Sequence, residues 1–257
     1  METVIYEIRD KVAFVTINRP HAYNACDKPT YERLAEVWQD FAVNDDAWVA
    51  ILTGAGDKAF CAGNDLKWQA AGGKRGWDKG GFAGLTPRFD CDKPIIAAVN
   101  GPAVGIGTTM LLHCDLVYVS RDATLKMPFV NLGLCPEYGS SLILPRLLGH
   151  ARAAELLLLG QSFTGEQAAT WGIANQALDS GAATLAKARE MALRFQLLAP
   201  AAVADSKRLM RAPGREELRR VIEEEGALFG QRLRSPEAIE ALTAFMQRRP
   251  PNFGKFA

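Results

Sequence analysis

The sequence predicts an α/β fold with a helical C-terminal region, and two observations carry that prediction. In the first half, short β-branched runs alternate with helical patterns, as is typical of βαβ units. After about residue 140 the strand signals fade and apolar residues recur at helical spacing. We therefore expect a core over residues 1–195. A helical region over residues 196–257 is expected to pack on that core or on a neighbouring subunit.

The predicted strands are short apolar segments. They cover Val12–Asn18, Trp48–Thr53, Ile95–Asn100 and Leu116–Ser120. Nearly continuous apolar character of this kind indicates a sheet that is covered on both faces. An apolar stripe from Tyr31 to Phe41 predicts a helix between the first two strands.

Later segments have the periodicity of amphipathic helices. The predicted helices cover Ser141–Leu148, Ala151–Leu159, Ala182–Leu198 and Arg215–Phe229. Thr164, with Gln167 three residues later, has the spacing of a capping box, and Ser235 followed by Pro236 marks another helix start. The glycine-rich segment Gln69–Leu85 is predicted to be a mobile loop near a ligand.

Composition and charge exclude several classes of protein. Hydrophobic residues make up 48% and charged residues 23% of the 257 residues, which is ordinary for a folded domain. A formal charge of +1 provides no global field that would attract nucleic acid or an anionic membrane. Apolar runs fall short of the roughly 20 residues that cross a bilayer, and the N-terminus lacks the zones of a signal peptide. We expect a cytoplasmic protein without nucleic-acid or membrane partners.

The five cysteines form an odd set without paired CxxC spacing, so we expect reduced thiols and no metal site. Cys61 and Cys135 flank the candidate site described next. A nucleophilic cysteine is the weaker interpretation, because isolated cysteines mostly act as small apolar residues.

Two glycine-containing turns, each after an apolar strand, are candidates for the reactive site. The first is residues 60–66 (FCAGNDL), and the second is residues 100–108 (NGPAVGIGT). Small residues let the backbone approach a ligand, and N–H groups at a helix start carry partial positive charge. If such groups converge they form an oxyanion hole, in which each donor contributes about 3 kcal/mol. Either turn alone is equally well explained by packing at a strand end.

These motifs resemble the crotonase superfamily, also called the enoyl-CoA hydratase/isomerase family. The resemblance runs over nearly the whole chain, with the motifs in order: RP at 19–20, NA at 24–25, FCAGNDL at 60–66, PIIAAVNGPAVGIG at 94–107, HCD at 113–115, LGLCPEYGSS at 132–141 and TGEQAATWGIAN at 164–175. It implies a crotonase-like ββα spiral core with a helical C-terminal region, assembled as trimers or pairs of trimers. It also implies an acyl-CoA thioester substrate whose enolate is held by two backbone amides. No other cofactor is implied, because coenzyme A arrives as part of the substrate.

Carrying the resemblance over by motif position assigns the two amides to Ala62 and Ile106. Hydratases of the family carry two glutamates at positions that here hold Thr109 and Phe129, and neither residue can replace a carboxyl in proton transfer. A single carboxyl, Glu137, stands where peroxisomal Δ3,Δ2-enoyl-CoA isomerases carry theirs. The substrate-binding positions implied in the same way are Ala25, Asn64, Asp65, Leu66, Gly105, Phe129, Pro136, Phe245 and Arg248.

Double-bond migration from C3 to C2 needs one proton removed at C2 and one returned at C4, which a single base can do in sequence. The apolar neighbours of Glu137, among them Leu134 and Pro136, predict a raised carboxyl pKa. The competing interpretation of Pro136–Gly139 is a solvated turn, and that of Asp65 is a helix cap.

Two further functions stay open: hydration or thioester hydrolysis with water activated by Glu137, and non-catalytic binding of an acyl-CoA.

Overall fold

A six-stranded sheet organises the first two-thirds of the chain. The computed structural model describes residues 2–70 and 91–256, so most of the predicted loop Gln69–Leu85 lies outside the described residues. The strands of the large sheet are β1 Val4–Arg9, β2 Val12–Ile17, β3 Val49–Gly54, β4 Ile95–Val99, β6 Leu116–Ser120 and β9 Gln176–Leu178. They lie in the order β1-β2-β3-β4-β6-β9, antiparallel between β1 and β2 and parallel elsewhere. A second, three-stranded sheet contains β5 Ala103–Val104, β7 Thr124–Lys126 and β8 Phe163–Thr164.

The helices surround the sheets and then continue without strands to the C-terminus. They are α1 Lys28–Val43, α2 Leu66–Ala70, α3 Ile106–Thr109, α4 Ser140–Leu148, α5 His150–Leu158, α6 Gly165–Thr170, α7 Gly181–Gln196, α8 Pro200–Arg211, α9 Arg215–Arg232 and α10 Pro236–Met246. Short 3-10 helices cover Pro20–Ala22, Met110–His113, Val130–Leu132, Ala212–Gly214 and Phe253–Phe256. Within the described part of the chain, none of these helices is long and apolar enough to span a bilayer.

Both faces of the large sheet are covered, as its apolar strands predict. All five residues of β4 are buried. One face packs on α1, whose Leu34, Trp38 and Phe41 belong to the main core. On the other face Ala188 and Ala192 of α7 pack among apolar strand residues in a smaller core. Because small alanines let α7 approach closely, the sheet is enclosed on both sides.

The predicted helix starts are confirmed at the level of single hydrogen bonds. The Thr164 hydroxyl accepts from the Gln167 N–H at 3.1 Å, and the Gln167 side chain accepts from the Thr164 N–H at 2.9 Å, which completes the capping box. The Ser235 hydroxyl accepts from the Ala238 N–H at 3.2 Å. Local sequence therefore specifies where these helices begin.

The sequence interpretation missed several strands. β1 precedes the first predicted strand, and β8 and β9 lie beyond residue 140, where no strand is expected. These later strands have two and three residues, too short for an alternating pattern to be recognised. The short helix α3, after the second glycine turn, begins at Ile106 with Gly105 as its N-cap.

The C-terminal helices return to the core of their own chain. Lys207 of α8 is buried, forms an ion pair with Asp115 at 2.8 Å and donates to the Lys93 carbonyl at 2.6 Å. Glu225 of α9 hydrogen-bonds the backbone at the start of α4. The C-terminal region therefore anchors loops that precede it by 84 to 114 residues.

We expect Leu34→Ala to lower the free energy of unfolding by about 3 kcal/mol, because it leaves a cavity in a fully enclosed core. On the same helix Val43 is 78% exposed, so Val43→Ala should change the free energy by less than about 0.5 kcal/mol. Urea denaturation measures both values. Equal losses in the two variants would contradict the assigned packing face of α1.

Candidate active site

Glu137 lies in the loop before α4 and is 1% exposed. The hydroxyl of Thr109, at the end of α3, donates to its Oε1. Its Oε2 is buried and has no hydrogen-bond partner among the described residues. Burial raises the pKa of this carboxyl from its ordinary 4.5 to about 8, against the lowering effect of the Thr109 hydroxyl and with a further increase from the charge of Glu225. The solvated-turn interpretation is therefore wrong, and the side chain can exchange a proton near neutral pH.

The loop around Glu137 has an unusual backbone. Tyr138 and Gly139 both adopt left-handed conformations, with φ of 59° and 78°. The Ser140 N–H and hydroxyl both donate to the Glu137 carbonyl, at 3.1 and 2.7 Å. The His113 Nε2 lies 2.7 Å from the Tyr138 carbonyl oxygen, and the two rings are 4.2 Å apart between centroids. These contacts turn the carboxyl inward.

The second glycine turn places a backbone donor at the start of the short helix whose last residue, Thr109, binds this carboxyl. Gly105, with φ of 55° and ψ of −122°, is the N-cap of α3, and its carbonyl accepts from the N–H groups of Thr108 and Thr109. The N–H of Ile106, the first residue of the helix, has no acceptor among the described residues. Since Thr109 in the same helix binds Glu137, α3 links the Ile106 amide to the carboxyl. Ile106 itself is buried, at 2% exposure.

The first glycine turn requires a correction. The Ala62 N–H, predicted as the second oxyanion donor, is already bound to the Tyr23 carbonyl at 3.0 Å. Two residues on, the Asn64 N–H has no acceptor within the described part of the chain. The flanking Gly63 carbonyl and Asp65 N–H both bind Cys26, at 2.7 and 3.0 Å, so in extended backbone the Asn64 N–H points to the opposite side.

The two glycine turns lie side by side. Gly63 has φ of 92°, and a Cβ at this position would lie 2.8 Å from the Val104 carbonyl oxygen. Cys61 and Ala103 form an isolated parallel bridge immediately before this contact. A glycine is required at residue 63 because a side chain would push the Asn64 turn away from the Ile106 turn. Asn64 therefore replaces Ala62 as the candidate partner of Ile106.

Tyr31 is a site residue that sequence reasoning missed. Its hydroxyl donates to the Asn64 Oδ1. Burial raises the pKa of this phenol well above its usual range, and the charges of Cys26, Glu137 and Cys61 add to the shift. Within the sequence Tyr31 is one member of an apolar helical stripe, so no local signal distinguishes it from a core residue.

Two of the predicted substrate-binding residues, Asp65 and Ala25, form hydrogen bonds within the protein. Asp65 accepts from the Lys67 and Trp68 N–H groups, each at 3.1 Å, and so caps α2 as its alternative interpretation predicts. The Arg19 guanidinium forms an ion pair with Asp65 at 2.9 Å and donates to the Ala25 carbonyl. Both residues therefore hold the first turn in place.

The remaining predicted substrate-binding positions differ in their surroundings. Phe129 is buried and meets Phe229 edge to face with ring centroids 6.5 Å apart, so that position provides apolar packing. Leu66 opens α2, and Pro136 precedes the carboxyl in its loop. Phe245, 53% exposed, and Arg248, with φ of 54°, lie at and beyond the end of α10. A role for these last two in binding stays a prediction.

Two cysteines near the site, Cys135 and Cys26, are held as thiols, whereas contact with the Cys26 sulfur lowers the pKa of Cys61. Burial raises the pKa of Cys135 to about 11, with a further increase from the charge of Glu225. Contact with the Cys61 sulfur at 3.8 Å, together with burial, raises the pKa of Cys26 well above its usual range. Such thiols are poor nucleophiles at neutral pH. Among the described residues, no group of three or more metal-ligating side chains of the His, Cys, Asp or Glu type comes together.

A sequence model of the enoyl-CoA hydratase/isomerase family matches residues 7–255. The chain belongs to this family. The carnitinyl-CoA dehydratase of Citrobacter koseri is 41% identical over 244 residues, covering 92% of each chain. The carnitinyl-CoA dehydratase of Proteus mirabilis is 38% identical over 251 residues, covering 95% of each.

Solved structures confirm the crotonase fold. The structure of OdaA from Pseudomonas aeruginosa is 54% identical and superimposes with a TM-score of 0.92, covering 96% of this chain and 100% of that one. A carnitinyl-CoA hydratase from Mycobacterium avium is 31% identical with a TM-score of 0.87, covering 99% of both. The protein is therefore an acyl-CoA enzyme of the crotonase superfamily.

The buried carboxyl of this crotonase predicts a pH-dependent stability. Between about pH 5 and pH 8 the folded protein keeps Glu137 protonated while the unfolded chain, at its ordinary pKa of 4.5, has lost that proton. The free energy of unfolding should therefore fall with rising pH by up to about 1.4 kcal/mol per pH unit, relative to Glu137→Gln. Urea denaturation of both proteins across this range measures the difference. Parallel curves would mean that the carboxyl is hydrated and titrates normally.

Proposed function

We propose that this crotonase is a Δ3,Δ2-enoyl-CoA isomerase that uses Glu137 as its proton shuttle. One observation carries the proposal: a buried carboxyl with a pKa of about 8, one of whose oxygens has no partner among the described residues, binds the last residue of the short helix whose first N–H has no acceptor among those residues. A group with a pKa near the working pH both accepts and returns protons efficiently.

In the proposed reaction, the N–H groups of Asn64 and Ile106 hydrogen-bond the thioester oxygen. Glu137 removes a proton from C2, the electrons of that C–H bond form a C1–C2 double bond, and the π electrons of the C1–O bond move to the oxygen, which gives a dienolate. The oxygen then re-forms the carbonyl, the C1–C2 π electrons move to C2–C3, and the C3–C4 π electrons take the same proton from Glu137 at C4. Nothing is oxidised or reduced, so the step needs no redox cofactor, and coenzyme A is carried by the substrate. Each backbone donor is worth about 3 kcal/mol to the charged intermediate.

The residues at the two hydratase positions support a single-base reaction. Thr109 occupies one of them, and its hydroxyl is used to hold Glu137. Phe129 occupies the other and is packed against Phe229. Neither residue ionises near neutral pH, so these two positions provide no carboxyl for a two-glutamate mechanism.

We retain a trimer or a pair of trimers as the proposed assembly.

The names of the relatives favour a second candidate, dehydration of carnitinyl-CoA. Two bacterial carnitinyl-CoA dehydratases are 41% and 38% identical over more than nine-tenths of the chain. In that reaction Glu137 would remove the C2 proton and return it to the leaving hydroxyl at C3. Both candidates share the enolate and differ in the atom that receives the proton.

Turnover of 3-hexenoyl-CoA tests the first candidate. We expect Glu137→Gln to lower kcat about 10³-fold, because an amide cannot accept the C2 proton. Glu223→Gln, an exposed position on α9, is the control and should keep wild-type kcat. Wild-type turnover by Glu137→Gln would rule out the shuttle.

The pH dependence of kcat/KM tests the state of the base. Glu137 must be ionised to accept a proton, so kcat/KM should rise with pH and level off above about pH 8. A profile that is flat from pH 6 to pH 9 would contradict the raised pKa.

Product analysis separates the candidates. With 3-hexenoyl-CoA in ¹⁸O water, isomerisation yields a 2-enoyl product without label, whereas hydration adds labelled oxygen. Faster turnover of carnitinyl-CoA than of 3-enoyl-CoA would select dehydration instead. Tight acyl-CoA binding without exchange of the C2 proton in D₂O would reject both and favour a binding protein.

A further inference from the structure

A carboxylate from the C-terminal region reaches the loop that carries Glu137. Glu225, on α9, is 8% exposed. Its Oε2 accepts from the Gly139 N–H at 2.5 Å, and its Oε1 accepts from the Ser141 N–H at 2.9 Å. Gly139 is the N-cap of α4 and has no side chain with which to cap the helix. Glu225 therefore supplies the cap from another helix.

The loop that Glu225 holds is not stable on local grounds. Tyr138 is left-handed without being a glycine, which is an unfavourable conformation that surrounding contacts must maintain. The same helix α9 also packs on Gly139, where a Cβ would lie 2.5 Å from Leu218 Cδ1. Because α9 contacts this loop through both an apolar and a charged side chain, it determines where the segment following Glu137 lies.

We propose that Glu225 is a positioning residue for the reaction, holding the Glu137 loop by its two backbone hydrogen bonds and influencing Glu137 by its charge. This inference rests on the proposed function, in which Glu137 moves the proton. It assigns a role in the chemistry to the C-terminal region, through a side chain that does not touch the substrate.

The charges around the two carboxyls favour this coupling. Besides burial, the charges of Glu225 and Cys61 raise the pKa of Glu137. The charge of Glu137 contributes to the raised pKa of Tyr31 on α1 and of Cys135 in the same loop. The charge of Arg232 lowers the pKa of Cys135. Burial raises the pKa of Glu225 itself, against the lowering effect of its bonds to the α4 backbone. Of these groups, Glu225 is the one that also hydrogen-bonds the backbone just after Glu137, at Gly139 and Ser141.

Two conservative variants separate position from charge. Glu225→Gln keeps the length of the side chain but removes its charge and one of its two acceptors. We expect about a tenfold lower kcat with a nearly unchanged KM, and a rise of kcat/KM that begins about half a pH unit lower. Glu225→Asp keeps the charge but is one methylene too short, so kcat should fall about tenfold without the shift to lower pH. Glu223→Gln, exposed on the same helix, should change neither.

Infrared difference spectra between wild type and Glu137→Gln report the protonation of Glu137 without turnover. Repeating them in the Glu225→Gln background should give a lower Glu137 pKa, with circular dichroism confirming a folded protein. Wild-type kcat and an unchanged Glu137 pKa in Glu225→Gln would overturn this inference. Full activity of Glu137→Gln would instead overturn the proposed function, so the two failures are distinguishable.

Discussion

The contact between the Thr109 hydroxyl and the Glu137 carboxyl joins the two parts of the site, and the remaining geometry depends on it. A carboxyl without water is stable only when it is protonated or hydrogen-bonded. Here one oxygen has a donor and the other has none among the described residues, so the group is poised between its two protonation states. Because Thr109 ends the short helix that Ile106 begins, the same contact sets the carboxyl at a fixed distance from a backbone donor.

Several distant segments meet at this carboxyl. The Tyr31 helix orients Asn64, the glycine turns lie side by side through Gly63, and α9 brings Glu225 to the loop of Glu137. The contacts of Asn64 and Glu225 are hydrogen bonds of buried or half-buried polar groups, and such bonds are costly to break one at a time. The C-terminal helices are therefore part of the support of the site as well as of the fold.

The relatives and the residues favour different members of one reaction class. Carnitinyl-CoA dehydratases share 38 to 41% of their residues with this chain. The motif resemblance, in contrast, assigns Thr109 and Phe129 to the positions at which the superfamily's hydratases carry glutamates. Both reactions begin with loss of the C2 proton to an enolate. They diverge only in whether carbon or oxygen receives that proton, and a single carboxyl above the substrate is compatible with either.

Local sequence determined most of the elements, the family, and the position of the candidate carboxyl, Glu137. Apolar periodicity and capping residues act over a few neighbours, so the strands from Val12 and Leu116 and the helix starts at Thr164 and Ser235 were predictable. Tertiary structure decided which amide of the first turn is available. Ala62 and Asn64 both offer an N–H, and only the packing of Tyr23 and Cys26 against that turn occupies one and leaves the other. The partnership of Glu225 with Gly139 was equally invisible, because it joins residues 86 positions apart through packing that no local pattern records.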